Sequence, residues 1–330
     1  MQNIIKEYLG QAKVGRKQSY KNLAIYPLLS TYSIALDYIL LDEALNEALI
    51  DVVEVDEAGD VPNLKVINKS ERMVLILDGE ELVGAKQNRI VNTTILIPGK
   101  ATVLIPVSCV EQGRWHYDSP LFHSEERVMA PTMRAMKAKK VSLFLKRDLG
   151  FQADQGEIWD GIAQIAQRRD AESPSMAMSE VYKKDRSSMD EYVKHFRLID
   201  GQAGAVLMIN GRVVGLDTFG KAESFSKVFK KIVESYTLDA IDWFDSKKEH
   251  KALRSDVTNF LKASQKSRVE VHEGVGLGID CRLESDKVTG FALAMDQKIL
   301  HLSVFARENG QGGKGGNSRM ASFAQRRTRL

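Results

Sequence analysis

Residues 89–108 read Arg89-Ile90-Val91-Asn92-Thr93-Thr94-Ile95-Leu96-Ile97-Pro98-Gly99-Lys100-Ala101-Thr102-Val103-Leu104-Ile105-Pro106-Val107-Ser108. From 101 onward, Ala101, Val103, Ile105 and Val107 alternate with Thr102, Leu104, Pro106 and Ser108, the two-residue period of a half-buried strand. Pro98-Gly99 marks a turn, so 89–97 reads as the preceding strand. Outward from this pair, further strands are expected at 50–55, 64–69 and 73–77, after a short helix from Leu40 to Ala48 with Asp42 near its start. Short strands separated by turn signals predict a β-sandwich or a partly closed barrel for the first half. Residues 131–147 then read as a helix with Pro131 in its first turn.

All seven prolines lie in the first 174 residues, which suits a turn-rich first half and a second half of helices and simple hairpins. Asp154 and Glu157 flank the start of a helix carrying Ile158, Ile162, Ile165 and Ala166 on one face, and Ser173-Pro174 reads as the opening of another. Met189, Tyr192, Val193 and Phe196 form a third stripe. Phe225, Val228, Phe229, Ile232, Val233 and Tyr236 follow helical spacing closely, and Leu253, Val257, Phe260 and Leu261 suggest one more helix. Gly204–Phe219 reads as a hairpin turning on Asn210-Gly211. Gly290–Phe305 has the same length, with Asp296-Gln297 at its turn, and Gly, Leu, Leu and Phe coincide at four of 16 positions. Either the two hairpins are equivalent strands of one sheet, which is the favoured reading, or the match is a coincidence of generic hairpins. The fold class expected is α+β. Residues 1–150 form a β-rich half, 151–308 an α+β half packed on it, and 309–330 a disordered basic Gly-rich tail.

Hydrophobic residues at 43% and charged ones at 28% place the chain among ordinary globular proteins. No apolar run approaches the roughly 18 residues of a membrane span, and the first residues lack the pattern of a signal peptide. Cys109 and Cys281 lie far apart in apolar surroundings, so buried inert thiols in a cytoplasmic protein are expected. The net charge of +3 conceals an asymmetry: Lys314, Arg319, Arg326, Arg327 and Arg329 supply +5, and subtracting them leaves −2 for residues 1–308. The tail is thus a solvated segment or a weak attractor of nucleic acid.

The polar motifs flank the opening strand pair. Before it runs Leu77-Asp78-Gly79-Glu80-Glu81-Leu82-Val83-Gly84-Ala85-Lys86-Gln87-Asn88-Arg89, and after it Ser108-Cys109-Val110-Glu111-Gln112-Gly113-Arg114-Trp115. Carboxylates, amides and guanidinium groups beside a core need partners, each other or a ligand. Glu80 and Glu81 are the catalytic candidates. Adjacent strand side chains face opposite ways, so at most one enters a given site; the alternative is a solvated acidic turn. Lys86, Gln87, Asn88 and Arg89 suit a ligand with several acceptors, or else guard strand edges. Asn92 is a structural hydrogen bonder or a site member, and Glu111 and Arg114 belong with the second motif. Trp115 and Trp159 pack, or stack on a base or sugar. A capping box explains Asp154 and Glu157 and leaves Gln155 as a site candidate. Arg134, Lys137, Lys139, Lys140, Lys146 and Arg147 make 131–147 a solvated basic helix or a phosphate-facing surface.

No HExxH, paired CxxC or HxH occurs, and the six histidines are scattered, so no metal site is expected. Neither GxxxxGK[ST] nor GxSxG is present. Gly274-Val275-Gly276-Leu277-Gly278 lacks the spacing of a dinucleotide fingerprint.

Leu77–Arg89, Ile105–Trp115 and Asp154-Gln155-Gly156-Glu157-Ile158-Trp159 resemble the motifs of a bacterial family, the "ARG and Rhodanese-Phosphatase-superfamily-associated Protein domain" family. The resemblance continues through Gly204–Leu216 and Val275–Phe305, covers most of residues 18–306, and leaves out the tail after Arg307. The family's name implies a setting beside ADP-ribosylglycohydrolases, and so a link to NAD or ADP-ribosylated molecules; it carries over no catalytic roles. The leading expectation is binding of a nucleotide-like ligand related to ADP-ribose or NAD, with its hydrolysis as an extension and no particular cofactor indicated. Lys86 and Arg89 would hold phosphate, Glu80 or Glu81 would act as base or ribose anchor, and Trp115 would stack. The alternatives are a non-catalytic module that partners an ADP-ribosylglycohydrolase-type enzyme, and weak nucleic-acid binding through 131–147 and the tail.

Overall fold

The computed structural model describes residues 1–57, 59–246 and 251–307; the expectation for 309–330 lies outside the described residues. The chain is α+β, with eight helices among the described residues and strands that are antiparallel in all but one pairing.

In the first half, six strands run in the order Phe122–Val128, Glu80–Gly84, Arg89–Val91, Thr102–Cys109, Asn63–Asn68 and Ile50–Glu54. This sheet curls until its first and last strands touch, a partly closed barrel. A second sheet of Ile95–Ile97, Met73–Ile76 and Tyr38–Leu40 shares its core, where Ile39, Val74, Ile76, Ile95 and Ile97 meet Leu82, Val91, Ile105 and Val107. The expected strand at 89–97 is therefore two short ones in different sheets, broken at Asn92-Thr93-Thr94. Side-chain hydrogen bonds account for the break. Thr93 donates to Asp280 at 2.7 Å, and the Thr94 hydroxyl accepts from the Asp78 amide at 3.1 Å and meets His301 Nδ1 at 2.8 Å.

The large sheet has nine strands. Its two central hairpins, Gln202–Ile209 with Arg212–Phe219 and Val288–Met295 with Lys298–Ala306, are the two that resemble each other, and they share this sheet. Asp217 lies opposite Ser303, each the fourteenth residue of its 16-residue repeat. Both hairpins carry a register shift after the fourth, at Leu207/Met208 and Leu293/Ala294. The two are thus related by a local two-fold axis through the Asp217–Ser303 pair. Leu23–Leu29 flanks one hairpin and Ile279–Glu284 the other.

Helices cover both faces of this sheet. On one, Ala222–Asp242 sets Phe225, Val228, Ile232 and Tyr236 against Ile25, Ala205, Leu207 and Phe219. On the other, Gln2–Gln11 and Arg254–Gln265 set Ile5, Tyr8, Leu9, Val257 and Phe260 against Tyr26, Val206, Met208 and Leu302. Burial on both faces leaves Gln202–Ile209 buried at every position. Ser173-Pro174 opens no helix: the Ser173 hydroxyl accepts from the Ala177 amide at 2.8 Å in a turn, and the helix runs Met178–Lys184. The Gly274–Gly278 run is a docking loop. Leu277 donates to the Leu96 carbonyl at 2.8 Å, and Gly276, at φ +79°, lies where a Cβ would meet that oxygen at 2.3 Å.

Helix Pro131–Leu145 corrects the expectation of a solvated basic face. Arg134 and Lys137 are fully buried. Arg134 holds Asp217 bidentately at 2.8 and 3.2 Å and donates to Ser303 at 2.9 Å; Lys137 pairs with Asp78 and donates to the Val91 carbonyl at 3.0 Å. Lys140 pairs with Asp154 and Glu157, and Lys146 with Glu270 and Glu284, so most of the helix's positive charge is already matched. Arg282 joins the network through Asp280 at 2.6 Å. Three buried cations thus face three buried aspartates between the barrel and the large sheet. Burial alone would raise the Asp217 carboxyl, but Arg134 outweighs it and holds the group well below the usual range.

Candidate functional site

The polar motifs meet at one end of the barrel. Arg89 pairs with Leu82 and Cys109 across the sheet, so its side chain shares their inward face. It is completely buried. Its Nη1 donates to Gln87 Oε1 at 2.8 Å, while among the described residues Nε and Nη2 have no hydrogen-bond partner. Glu54 stands opposite, its Oε1 4.0 Å from Arg89 Nη2. That oxygen accepts from the Lys86 amide at 3.2 Å, and Oε2 is buried without a partner. Burial draws the Arg89 guanidinium below its ordinary value, and it pushes the neighbouring Cys109 thiol up, so the thiol stays protonated and unreactive.

Around this pair the second motif forms a rigid bracket. Arg114 donates from Nε to Glu111 at 2.9 Å, from Nη2 to Asn88 Oδ1 at 2.9 Å and from Nη1 to the Ala85 carbonyl at 2.6 Å. Glu111 also accepts from Ser175 at 2.7 Å and from the Asn88 amide at 3.2 Å. Burial would raise the Glu111 carboxyl, yet these donors together hold it below its ordinary value. Gln87 Nε2 donates to the Glu111 carbonyl at 3.0 Å, which joins bracket to pair. Trp115, 46% exposed, covers the end of the barrel, its ring centred 5.4 Å from Lys86 Nζ and 5.6 Å from Arg89 Cζ. Tyr117 lies 5.2 Å from the same ammonium, which donates to the Glu57 carbonyl at 2.5 Å. Gly59, at φ +81°, packs so closely that a Cβ would come within 3.2 Å of both Lys86 and Trp115.

Lys86, Gln87, Asn88, Arg89, Glu111, Arg114 and Trp115 are therefore brought together, and Glu80 and Glu81 stand apart. Glu80 pairs with Lys231 on the long helix and accepts from the Leu77 amide at 2.7 Å; burial pushes its carboxyl up to about 6 against that lysine. Glu81 faces the opposite way, 3.5 Å from Arg127, with Oε1 buried and unpartnered; burial pushes it up to about 7. Asn92 accepts from Ser108 at 2.8 Å and donates to the Phe151 carbonyl at 3.1 Å, a bond between strand and loop. Gln155 clasps the Cys109 backbone from both sides, at 2.8 and 2.7 Å, taking the place of a neighbouring strand. Trp159 is half-buried, with its indole against the Cys109 thiol. Asp154 caps its helix through the Glu157 amide at 3.1 Å, while the Glu157 carboxylate goes to Lys140, so only half of the capping box forms.

Glu54 and Tyr117 lie outside the polar motifs of the sequence. Glu54 had a signal: it shares the inward parity of Ile50 and Val52 at the end of an alternating strand, where a carboxylate is out of place. Among the described residues no group of three or more His, Cys, Asp and Glu could hold a metal ion, and no helix is long and apolar enough to cross a membrane.

No curated protein and no solved structure matches the sequence. A family model does, over residues 11–305, and with the motifs at the barrel end inside that span, the chain belongs to the ARG and Rhodanese-Phosphatase-superfamily-associated Protein domain family.

Proposed function

We propose that the end of the barrel binds a nucleotide-like ligand related to ADP-ribose or NAD, in the cytoplasm, with Arg89 as its anchor. The observation that carries this reading is the buried guanidinium with Nε and Nη2 unpartnered, because a buried cation keeps a hydrogen-bonding edge free at a cost unless something uses it. The exposed rings of Trp115 and Tyr117 suit stacking on a base. The family's description supports a setting beside ADP-ribose metabolism. Trp115 has to swing aside for a ligand to enter. Hydrolysis would need a carboxylate at the ligand, and Glu54 is the one that faces Arg89.

The test is thermal denaturation of the full chain with NAD, ADP-ribose and inorganic phosphate. At a ligand concentration 100-fold above Kd, the stabilisation expected is about 2.7 kcal/mol, a clear rise in Tm. The rise should vanish in Arg89→Met. Absence of any shift with both NAD and ADP-ribose at millimolar concentration would overturn the reading.

A second reading, a non-catalytic module docking on an ADP-ribosylglycohydrolase-type enzyme, is favoured by one observation: Trp115, Tyr117 and Leu121 expose large apolar surface along a single connection. It predicts that complex formation fails in Trp115→Ala and survives in Arg89→Met.

A further inference from the structure

Glu54 and Arg89 are each oriented by one contact, and each keeps polar atoms without a hydrogen-bond partner among the described residues. Gln87 fixes Nη1 of the guanidinium, so the free edge is the one formed by Nε and Nη2, two parallel donors. The Lys86 amide fixes Oε1 of Glu54, so the free acceptor is Oε2. At 4.0 Å the two groups are too far apart for a hydrogen bond. Both belong to buried residues, Arg89 at 0% and Glu54 at 6% exposure.

We infer that the group entering this pair is a neutral amide edge, a primary carboxamide or a ring lactam, whose C=O accepts from Arg89 and whose N–H donates to Glu54. The inference rests on the nucleotide-ligand reading and specifies which part of the ligand reaches the barrel interior. A phosphate satisfies the guanidinium but brings a second negative charge beside Glu54, in a setting where little water screens it. A hydroxyl can bridge the two groups, but it offers a single oxygen to a two-donor edge. An amide supplies an acceptor with two lone pairs and a donor beside it, so both free edges are used and the pair's net charge of zero is preserved. Phosphates of the same ligand stay outside, toward Lys86 and the rim. Glu54 and Arg89 are thus the specificity-determining residues of the site.

The experiment is calorimetric titration of the full chain with NAD, nicotinamide, hypoxanthine, ADP-ribose and inorganic phosphate, repeated on Glu54→Gln. Nicotinamide carries the carboxamide, hypoxanthine the lactam, and ADP-ribose lacks the nicotinamide ring. The expected result is that NAD binds at least tenfold more tightly than ADP-ribose if the carboxamide is the partner. If the lactam is the partner, hypoxanthine binds and nicotinamide does not. In either case Glu54→Gln weakens the preferred amide about tenfold or more and strengthens phosphate. Phosphate or ADP-ribose binding the unaltered chain as tightly as the amides, with Glu54→Gln leaving all affinities unchanged, overturns the inference and leaves the nucleotide reading standing. No binding by any of the five overturns both. Circular dichroism of Glu54→Gln separates lost binding from lost folding, and the comparison among ligands on the unaltered chain decides the inference without the variant.

Discussion

Glu81 is a carboxyl that the fold buries without fully satisfying it. Oε1 has no partner, Arg127 stands 3.5 Å from Oε2, and burial raises the group to about 7 from an ordinary 4.5. An acid whose folded value lies above its unfolded value binds protons more tightly when folded, so stability falls as pH rises from about 4.5 to about 7 and then levels. The charged form above that range costs the fold roughly 3–4 kcal/mol. Glu81→Gln is therefore expected to raise stability to urea by an amount of that order at pH 8 and by almost nothing at pH 4.5. A loss of stability at pH 8 would show that the carboxylate has a partner that burial and distance do not reveal. The adjacency of Glu80 and Glu81 was legible as two opposite-facing side chains. Their partners, Lys231 and Arg127, were not, because they lie 151 and 46 residues away and only the fold brings them near.

At the scale of elements, periodicity carried what one-sided burial could write into the sequence. Thr102–Cys109 is readable because its first residues alternate between exposed and more buried positions, and Ala222–Asp242 because its apolar residues recur at helical spacing from 225 to 236, although 231–240 is buried on every side. Leu23–Leu29 and Glu80–Gly84 are not, because burial on both sides removes the alternation. Helix Pro131–Leu145 misleads for a related reason: two of its cations, Arg134 and Lys137, point inward to aspartates supplied by a distant turn and a distant strand, so charge there does not mean solvent. Of the site, the Lys86–Arg89 and Glu111–Trp115 segments were visible as dense polar runs, whereas Glu54 was a single residue in an otherwise ordinary strand. Helix Gln155–Arg169 begins at an Asp154 cap that also holds Lys140 at 3.1 Å. Asp154→Ala should lower stability by about 1 kcal/mol, read as a fall in the urea midpoint at unchanged slope. A midpoint shift smaller than measurement error would mean that tertiary packing alone fixes the start of the helix.

For the whole molecule, the buried charges tie the barrel to the large sheet. Arg134 reaches Asp217 and Ser303 on the sheet's local two-fold axis and Asp78 in the turn before Glu80–Gly84, while Lys137 links Asp78 to Val91. Removing one partner of such a pair leaves its neighbour buried and uncompensated. Asp217→Asn should therefore cost about 3–5 kcal/mol in urea unfolding, far more than an exposed charge would. A cost below about 1 kcal/mol would show that the network is dispensable. The same network fixes the strand break at Asn92-Thr93-Thr94, just beyond the strand that carries Arg89 into the barrel, so the geometry at the barrel end depends on how the two sheets are joined. In the proposed function the ligand is held at the Arg89–Glu54 pair. Diffraction from crystals soaked in NAD decides this: ligand density is expected at Nε and Nη2 of Arg89 and at Oε2 of Glu54, with Trp115 swung aside. A lone water bridging the pair in fully soaked crystals, with Trp115 unmoved, would contradict it.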